Sequence, residues 1–243
     1  MNKVVLITGA SQGIGFGIAE KFHAEGWDIL TLSRKPLSGE ETWNPDADSH
    51  FIFDLADAEH IDDVLAEIKH KLGNRPLDAL VNNAGISPKL PNGDRVGVVG
   101  ADYDFWKRIF DVNVFAPALV TRGLHPELKA AQGAVVNITS IVVQRVHPFA
   151  GSPYASSKAA LGGLTREMAN EFAKDGIRVN AVSPGEIDTP ILSIKTAEIV
   201  ESHVPMKRLG SPAEIADAVY YLCSDQASYI TGTELLVNGG QHL

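Results

Sequence analysis

Tyr154 and Lys158 stand four residues apart in Tyr154-Ala155-Ser156-Ser157-Lys158, one turn of a helix. Continued as a helix, the same face carries Leu161, Thr165, Met168 and Phe172, so Lys158 points to a side that becomes buried. Lysines are almost never fully buried without a partner, which favours a working lysine; the plainer alternative is a stem packed on the core with its head in water. A tyrosine with a pKa near 10 exchanges protons poorly at neutral pH, and a neighbouring ammonium lowers that value by stabilising the phenolate. So adjusted, Tyr154 suits a general acid for ketone reduction or a general base for alcohol oxidation. Ser140 ends an apolar run before Tyr154, where its hydroxyl would bond a reacting oxygen and stabilise developing charge. Taken singly, such a serine is a cap and such a tyrosine is half-buried packing.

A second constellation lies at the N-terminus. Thr8-Gly9-Ala10-Ser11-Gln12-Gly13-Ile14-Gly15 follows an apolar run and opens a helical pattern. Glycines there permit a tight turn and bring the backbone close to a pyrophosphate, which the free N–H groups and dipole of a helix N-terminus favour. Strand before, helix after and a second strand about 20 residues on mark a dinucleotide site rather than a bare turn.

These groups need a scaffold. Apolar runs recur at Val4 to Thr8, Ile29 to Leu32, Phe51 to Phe53, Leu77 to Asn82, Ala134 to Thr139, Ile177 to Val182 and Leu235 to Val237. Most are continuous rather than alternating, as in a parallel sheet buried on both faces. Between them, Ile61, Val64, Leu65, Ile68 and Leu72 form one helical stripe, as do Ile14, Ile18 and Phe22, and Ile215, Val219 and Leu222. The alternation predicts an α/β fold: a doubly wound parallel sheet of the Rossmann type, about seven strands with helices on both faces. No linker or repeat divides the chain, so residues 1–243 read as one domain. Two stretches are loop-like, Pro36 to Asp48 and Ser87 to Asp102; the second is a surface insertion or a cover over a site.

The glycine spacing, Gly-x-x-x-Gly-x-Gly, resembles that of the short-chain dehydrogenase/reductase family in its smaller single-domain branch, much of which is similar to 3-oxoacyl-(acyl-carrier-protein) reductases. The resemblance extends through Asn82-Asn83-Ala84-Gly85, through Asn113, Ser140, Tyr154 and Lys158 as the catalytic set, and through Pro184-Gly185. It implies that Gly9, Ser11, Gln12, Gly13, Ile14, Gly15, Asn83, Ala84, Gly85, Pro184 and Gly185 border the cofactor and that Asp54 and Leu55 flank the adenine. It further implies that Lys158 also holds the nicotinamide ribose, and that the Ile187 backbone and Thr189 hydroxyl hold the carboxamide. Asn113 would support a water-linked proton path to the lysine, and Pro190 to Pro205 would form a lid with Ile191, Leu192 and Ile194 inward.

The second strand runs into Ser33-Arg34-Lys35. An acid there would bond NAD ribose hydroxyls and repel a 2′-phosphate, whereas a hydroxyl with two cations favours NADP(H). NAD(H) remains possible, because Gln12 stands where many NADP-using relatives carry a basic residue. The activity implied is hydride transfer between a nicotinamide and a ketone or secondary alcohol of a small molecule. The alternatives are an NAD-dependent sugar or polyol dehydrogenase, a 3-oxoacyl-(acyl-carrier-protein) reductase, and a cofactor-binding protein without catalysis.

Composition narrows the partners. Lys and Arg total 21 against 30 Asp and Glu, a formal charge of −9, without a basic stripe for nucleic acid. Ala131 and Asp175 stand where carrier-protein reductases have basic residues beside the active-site mouth, and an acid there would repel an acidic carrier. The one cysteine, Cys223, excludes an intrachain disulfide and reads as an inert core thiol. No metal-ligand spacing occurs among the eight histidines, although His147 and Arg145 lie between Ser140 and Tyr154 and are candidates to line the substrate pocket. No run suits a targeting or membrane segment, so a cytoplasmic location is expected, and the C-terminal Asn238 to Leu243 resembles tails that help build homotetramers.

Overall fold

Val4–Thr8 (β1) is buried at every position, as required of a strand covered on both faces. It pairs in parallel with Asp28–Ser33 (β2) on one side and Ala79–Asn82 (β4) on the other. His50–Ile52 (β3) extends the sheet beyond β2, and Ala134–Ile138 (β5), Arg178–Pro184 (β6) and Glu234–Val237 (β7) extend it beyond β4. The order β3-β2-β1-β4-β5-β6-β7 reverses direction between β1 and β4, which opens a crevice at the carboxyl ends of the strands. The computed structural model describes residues 2–37, 49–90, 93–190 and 196–243.

Alternate residues along the strands feed two cores. Leu6, Leu80 and Val135 face one side, with Ile61–Leu72 (α2), Ala116–Gly123 (α4), His125–Ala131 (α5) and Ser152–Phe172 (α6). Val5, Ile7, Val81 and Val136 face the other, against Gly13–Ala24 (α1) and Pro212–Cys223 (α8). The expected stripes sit where the spacing put them: Ile61, Val64, Leu65, Ile68 and Leu72 are buried on α2, and Leu161, Thr165, Met168 and Phe172 on α6. Tyr103–Phe110 (α3) and Thr196–His203 (α7) complete the helices.

Two features of the fold matter for the site. Asn82 and Asn137, neighbours across β4 and β5, are buried and bonded to each other at 2.9 Å, with Thr121 and Thr165 as further partners. This satisfied polar bridge pins the two strands that frame the cleft. The helical stretch expected around Asn113 is a π-turn, Asp111–Phe115, between α3 and α4. Such a turn adds a residue to the helical repeat and re-aims the side chains within it.

Candidate active site

The phosphate-binding turn is built by β1 and β4 together. The Thr8 hydroxyl accepts from the backbone N–H groups of Asn83 and Ala84 at 3.1 and 3.0 Å, and the Asn83 amide donates to the Thr8 and Gly9 carbonyls at 2.9 and 3.0 Å. Asn83 thus moulds the turn from beneath. Gly9 has φ +72°, and a Cβ on it would stand 2.8 Å from the Ala84 Cα, so glycine is required for both shape and closeness. Gly15 likewise leaves no room for a Cβ against the Gly9 carbonyl. At the start of α1, Gln12 occupies the cap position without a side-chain cap bond, so no side chain competes with an anion there.

From this turn a cleft of about 400 Å³ runs along the carboxyl ends of the strands. At one end it meets Ser33, Arg34 and Lys35. Ser33 is buried and its hydroxyl has no hydrogen-bond partner among the described residues, while Arg34 and Lys35 are exposed. A buried orphan hydroxyl beside two open cations is a donor set suited to a ribose or phosphate group. Asp54 and Leu55 form the adjoining wall; the Asp54 carboxylate also accepts from the Ala56 N–H at 3.0 Å and stands 3.6 Å from Arg108. Opposite the turn lies Pro184 to Thr189, with Thr189 against Gly13 and Ile187 bridged to Gly210. A glycine cradle, an uncapped helix start and an orphan hydroxyl fit a nicotinamide dinucleotide.

Tyr154 and Lys158 enter the middle of the cleft from the first turns of α6. Lys158 is buried, and its ammonium donates to the Ile138 carbonyl at 2.7 Å. Burial lowers its pKa to about 8. Burial pushes Tyr154 up from its ordinary value, a hydrogen bond with Ser140 draws it down, and the Glu186 charge adds to the rise. Without a dinucleotide, desolvation is the largest influence on Tyr154. Ser140 caps the short 3-10 turn Ile141–Val143 and also stands at the tyrosine, so its cap and substrate-side roles coincide.

Of the expected catalytic and cofactor residues, Asn113 alone does not line the cleft; it sits behind it. Its carboxamide accepts from the Ile86 N–H at 2.9 Å and donates to the Ile86 carbonyl and the Ser157 hydroxyl, both at 3.0 Å. The side chain clamps the segment after β4 to the residue preceding Lys158.

The substrate end carries residues that local reading passed over. The insertion after β4 is pinned onto the site: the Val96 carbonyl accepts from the Ser152 N–H at 2.9 Å, and Arg95 donates to the His147 carbonyl at 3.4 Å. Ser87 and Lys89 of this segment line the cleft, so it covers the site rather than merely decorating the surface. Phe149 and Glu186 line the cleft too, together with His147, the expected pocket candidate; Arg145, expected beside it, does not line the cleft. Glu186 went unread because it lay inside a turn taken as a unit; its signal was a carboxylate between Pro184-Gly185 and the apolar Ile187. Ile191, Leu192 and Ile194, expected to face inward from a lid, lie outside the described residues.

Comparison with known proteins agrees with this geometry. Residues 9–242 match the family model described as enoyl-(acyl carrier protein) reductase. Protein FixR of Bradyrhizobium diazoefficiens is 50% identical over 242 residues, covering 99% of this chain and 87% of that protein. The 3-oxoacyl-(acyl-carrier-protein) reductase FabG of Thermotoga maritima is 35% identical, covering 98% of this chain and 97% of that one. This chain belongs to the short-chain dehydrogenase/reductase family of oxidoreductases. A crystal structure of a short-chain dehydrogenase/reductase from Brucella ovis in complex with a partially ordered NAD superposes with a TM-score of 0.84 at 43% identity, over 98% of this chain and 100% of that one.

As a short-chain dehydrogenase/reductase, the chain departs from one expectation. Ala131 and Asp175 precede the amino ends of β5 and β6, at the opposite edge of the sheet from the cleft, and neither lines it. Asp175 also pairs with Lys129 at 2.6 Å and His125 at 3.1 Å, with the Lys129 hydrogen bond chiefly holding its carboxyl below the ordinary range. Asp175 sits just before the amino end of β6, and within one subunit the length of the strand separates it from the cleft. Cys223 is buried, and burial pushes its thiol up to about 12, consistent with an inert core position. Among the described residues no group of three His, Cys, Asp or Glu is placed to hold a metal ion, and no helix is long and apolar enough to cross a membrane.

Proposed function

We propose that the chain is an NADP(H)-dependent oxidoreductase acting on a ketone or secondary alcohol of a small molecule, with Tyr154 as general acid and base. The observation that carries the reading is the meeting of Ser140, Tyr154 and the buried Lys158 in the same cleft that begins at the glycine turn. When bound, the nicotinamide dinucleotide supplies or accepts the hydride. The chain's own part is proton transfer and placement. In reduction, the Tyr154 hydroxyl gives its proton to the carbonyl oxygen as negative charge grows there, and Ser140 stabilises that oxygen by donating a hydrogen bond. The buried Lys158 ammonium places a positive charge behind the tyrosine, favouring the phenolate that remains. Asn113 fixes the backbone on both sides of that lysine. Ser33, Arg34 and Lys35 support the phosphorylated cofactor over NAD(H).

A panel of ketones and secondary alcohols, assayed with both nicotinamide cofactors by absorbance of the reduced ring, tests the reading. Turnover with NADPH that falls at least 1,000-fold in Tyr154→Phe, while NADPH affinity stays within about threefold, is the expected result. Binding without turnover of any carbonyl would leave a cofactor-binding protein instead. Efficient turnover restricted to carrier-bound substrates would replace the small molecule with an acyl carrier.

A further inference from the structure

At the substrate end of the cleft, two side chains distant in sequence converge on one oxygen of a third, Glu186. The His147 Nε2 lies 2.7 Å from the Glu186 Oε1, and the Gln241 Nε2 donates to the same oxygen at 3.2 Å. The Phe149 N–H donates to the His147 Nδ1 at 3.2 Å, which makes Nδ1 an acceptor and places the ring proton on Nε2, directed at the carboxylate. Arg145 holds the tail from the same side, donating to the Gln241 carbonyl at 2.9 Å. The carboxylate is thus oriented by two direct bonds and is nearly nine-tenths buried, at 12% side-chain exposure. Burial acts to raise its pKa, but the hydrogen bonds from His147 and Gln241, with the Lys89 charge, bring it below its ordinary value.

Both supporting bonds end on Oε1. Among the described residues no group donates to Oε2, yet Glu186 lines the cleft beside Tyr154. An ionised carboxylate accepts and never donates, so a ligand seated against Oε2 must bring an O–H or N–H. Lys89 lines the same cleft and disfavours an ammonium there, while Glu186 disfavours a carboxylate, which leaves neutral hydroxyl groups. An unsubstituted ketone would bury the charged oxygen unpaired, and sites built to bond a substrate hydroxyl reject analogues lacking it.

We propose that Glu186, oriented by His147 and Gln241, is a specificity-determining residue that accepts a hydrogen bond from a hydroxyl of the substrate, and that the enzyme selects polyhydroxylated ketones and alcohols of the sugar and polyol class. This rests on the hydride-transfer reading above and names the substrate class for it.

The test uses matched ketones that differ only in hydroxyl groups, dihydroxyacetone against acetone and erythrulose against 2-butanone, each with wild type and Glu186→Gln. The substitution keeps the shape and the His147 contact but presents a donor where Oε2 accepted. kcat/KM is measured alongside the affinity of each ketone for the NADPH complex, read from nicotinamide fluorescence. The expected result is a wild-type preference for the hydroxylated member of each pair that shrinks at least tenfold in Glu186→Gln, in both readouts. Equal losses within a pair, no loss on the hydroxylated members, or a wild-type preference for the bare ketones would overturn the proposal while leaving hydride transfer intact. If no ketone is turned over, the hydride-transfer reading fails instead, and the binding measurements alone decide the role of Glu186.

Discussion

The Lys158 ammonium stands 6.0 Å from the centre of the Tyr154 ring and donates to the Ile138 carbonyl, not to the tyrosine. The lysine therefore acts on the tyrosine through space, in competition with the burial that raises the phenol's pKa. Each partner is moved toward its neutral form by desolvation, and the positive charge of an oxidised nicotinamide is the addition that shifts the balance.

That relationship sets a spectroscopic expectation. With no dinucleotide added, the phenolate absorbance difference between wild type and Tyr154→Phe should show Tyr154 still protonated at pH 10. Saturation with the oxidised cofactor should move its ionisation downward by at least one pH unit. An ionisation below pH 9 without cofactor contradicts the burial argument.

Replacing Lys158 with Met should abolish activity and yet not weaken the fold. The folded pKa of about 8 lies below the usual 10.5, so the unfolded chain binds the proton more tightly. The cost of burying the charge is fully present below pH 8 and fades as pH rises toward 10.5. Set against the lost bond to Ile138, a gain of about 1 kcal/mol near pH 7 is expected, shrinking by pH 10. Paired thermal melts at those two pH values measure it, and a Lys158→Met Tm several degrees below wild type at pH 7 refutes it.

The cofactor preference is tested at the end of β2. Replacing Arg34 and Lys35 together with Ala should raise the KM for NADPH at least tenfold and change that for NADH less than threefold. The loss should also diminish in high salt, because both cations are exposed. Parallel losses for both cofactors would mean that the pair serves only general phosphate attraction.

Stability and activity separate at the start of α8. Ser211 and Glu214 form a reciprocal capping box, the Glu214 N–H donating to the serine hydroxyl at 3.3 Å and the Ser211 N–H to the carboxylate at 2.8 Å. Arg208 grips the same carboxylate with two bonds and, with the Ser211 backbone, holds its pKa down to about 2. Ser211→Ala should lower stability by about 1 kcal/mol, a Tm shift of about 2–4 °C, with kcat within twofold of wild type. A change in kcat larger than the change in stability explains would show that α8 communicates with the cleft.

What the sequence determined by itself was periodic and local. Continuous apolar runs gave seven parallel strands, buried at the centre of the sheet and partly exposed at its edges β3 and β7, three-and-four spacing gave the faces of α2 and α6, and the Tyr154–Lys158 interval put both side chains on one helical turn. Those relationships depend on backbone repeat and side-chain chemistry, both written in consecutive residues. The tertiary structure alone decided which distant residues meet. It inserted a π-turn at Asn113 and made that side chain a clamp, carried Asp175 to the far edge of the sheet, and folded the insertion onto the N-terminus of α6. It also brought His147, Glu186 and Gln241 to a single oxygen. No local pattern encodes such meetings, because they follow from strand order and register, and these are fixed only when both faces of the whole sheet are packed.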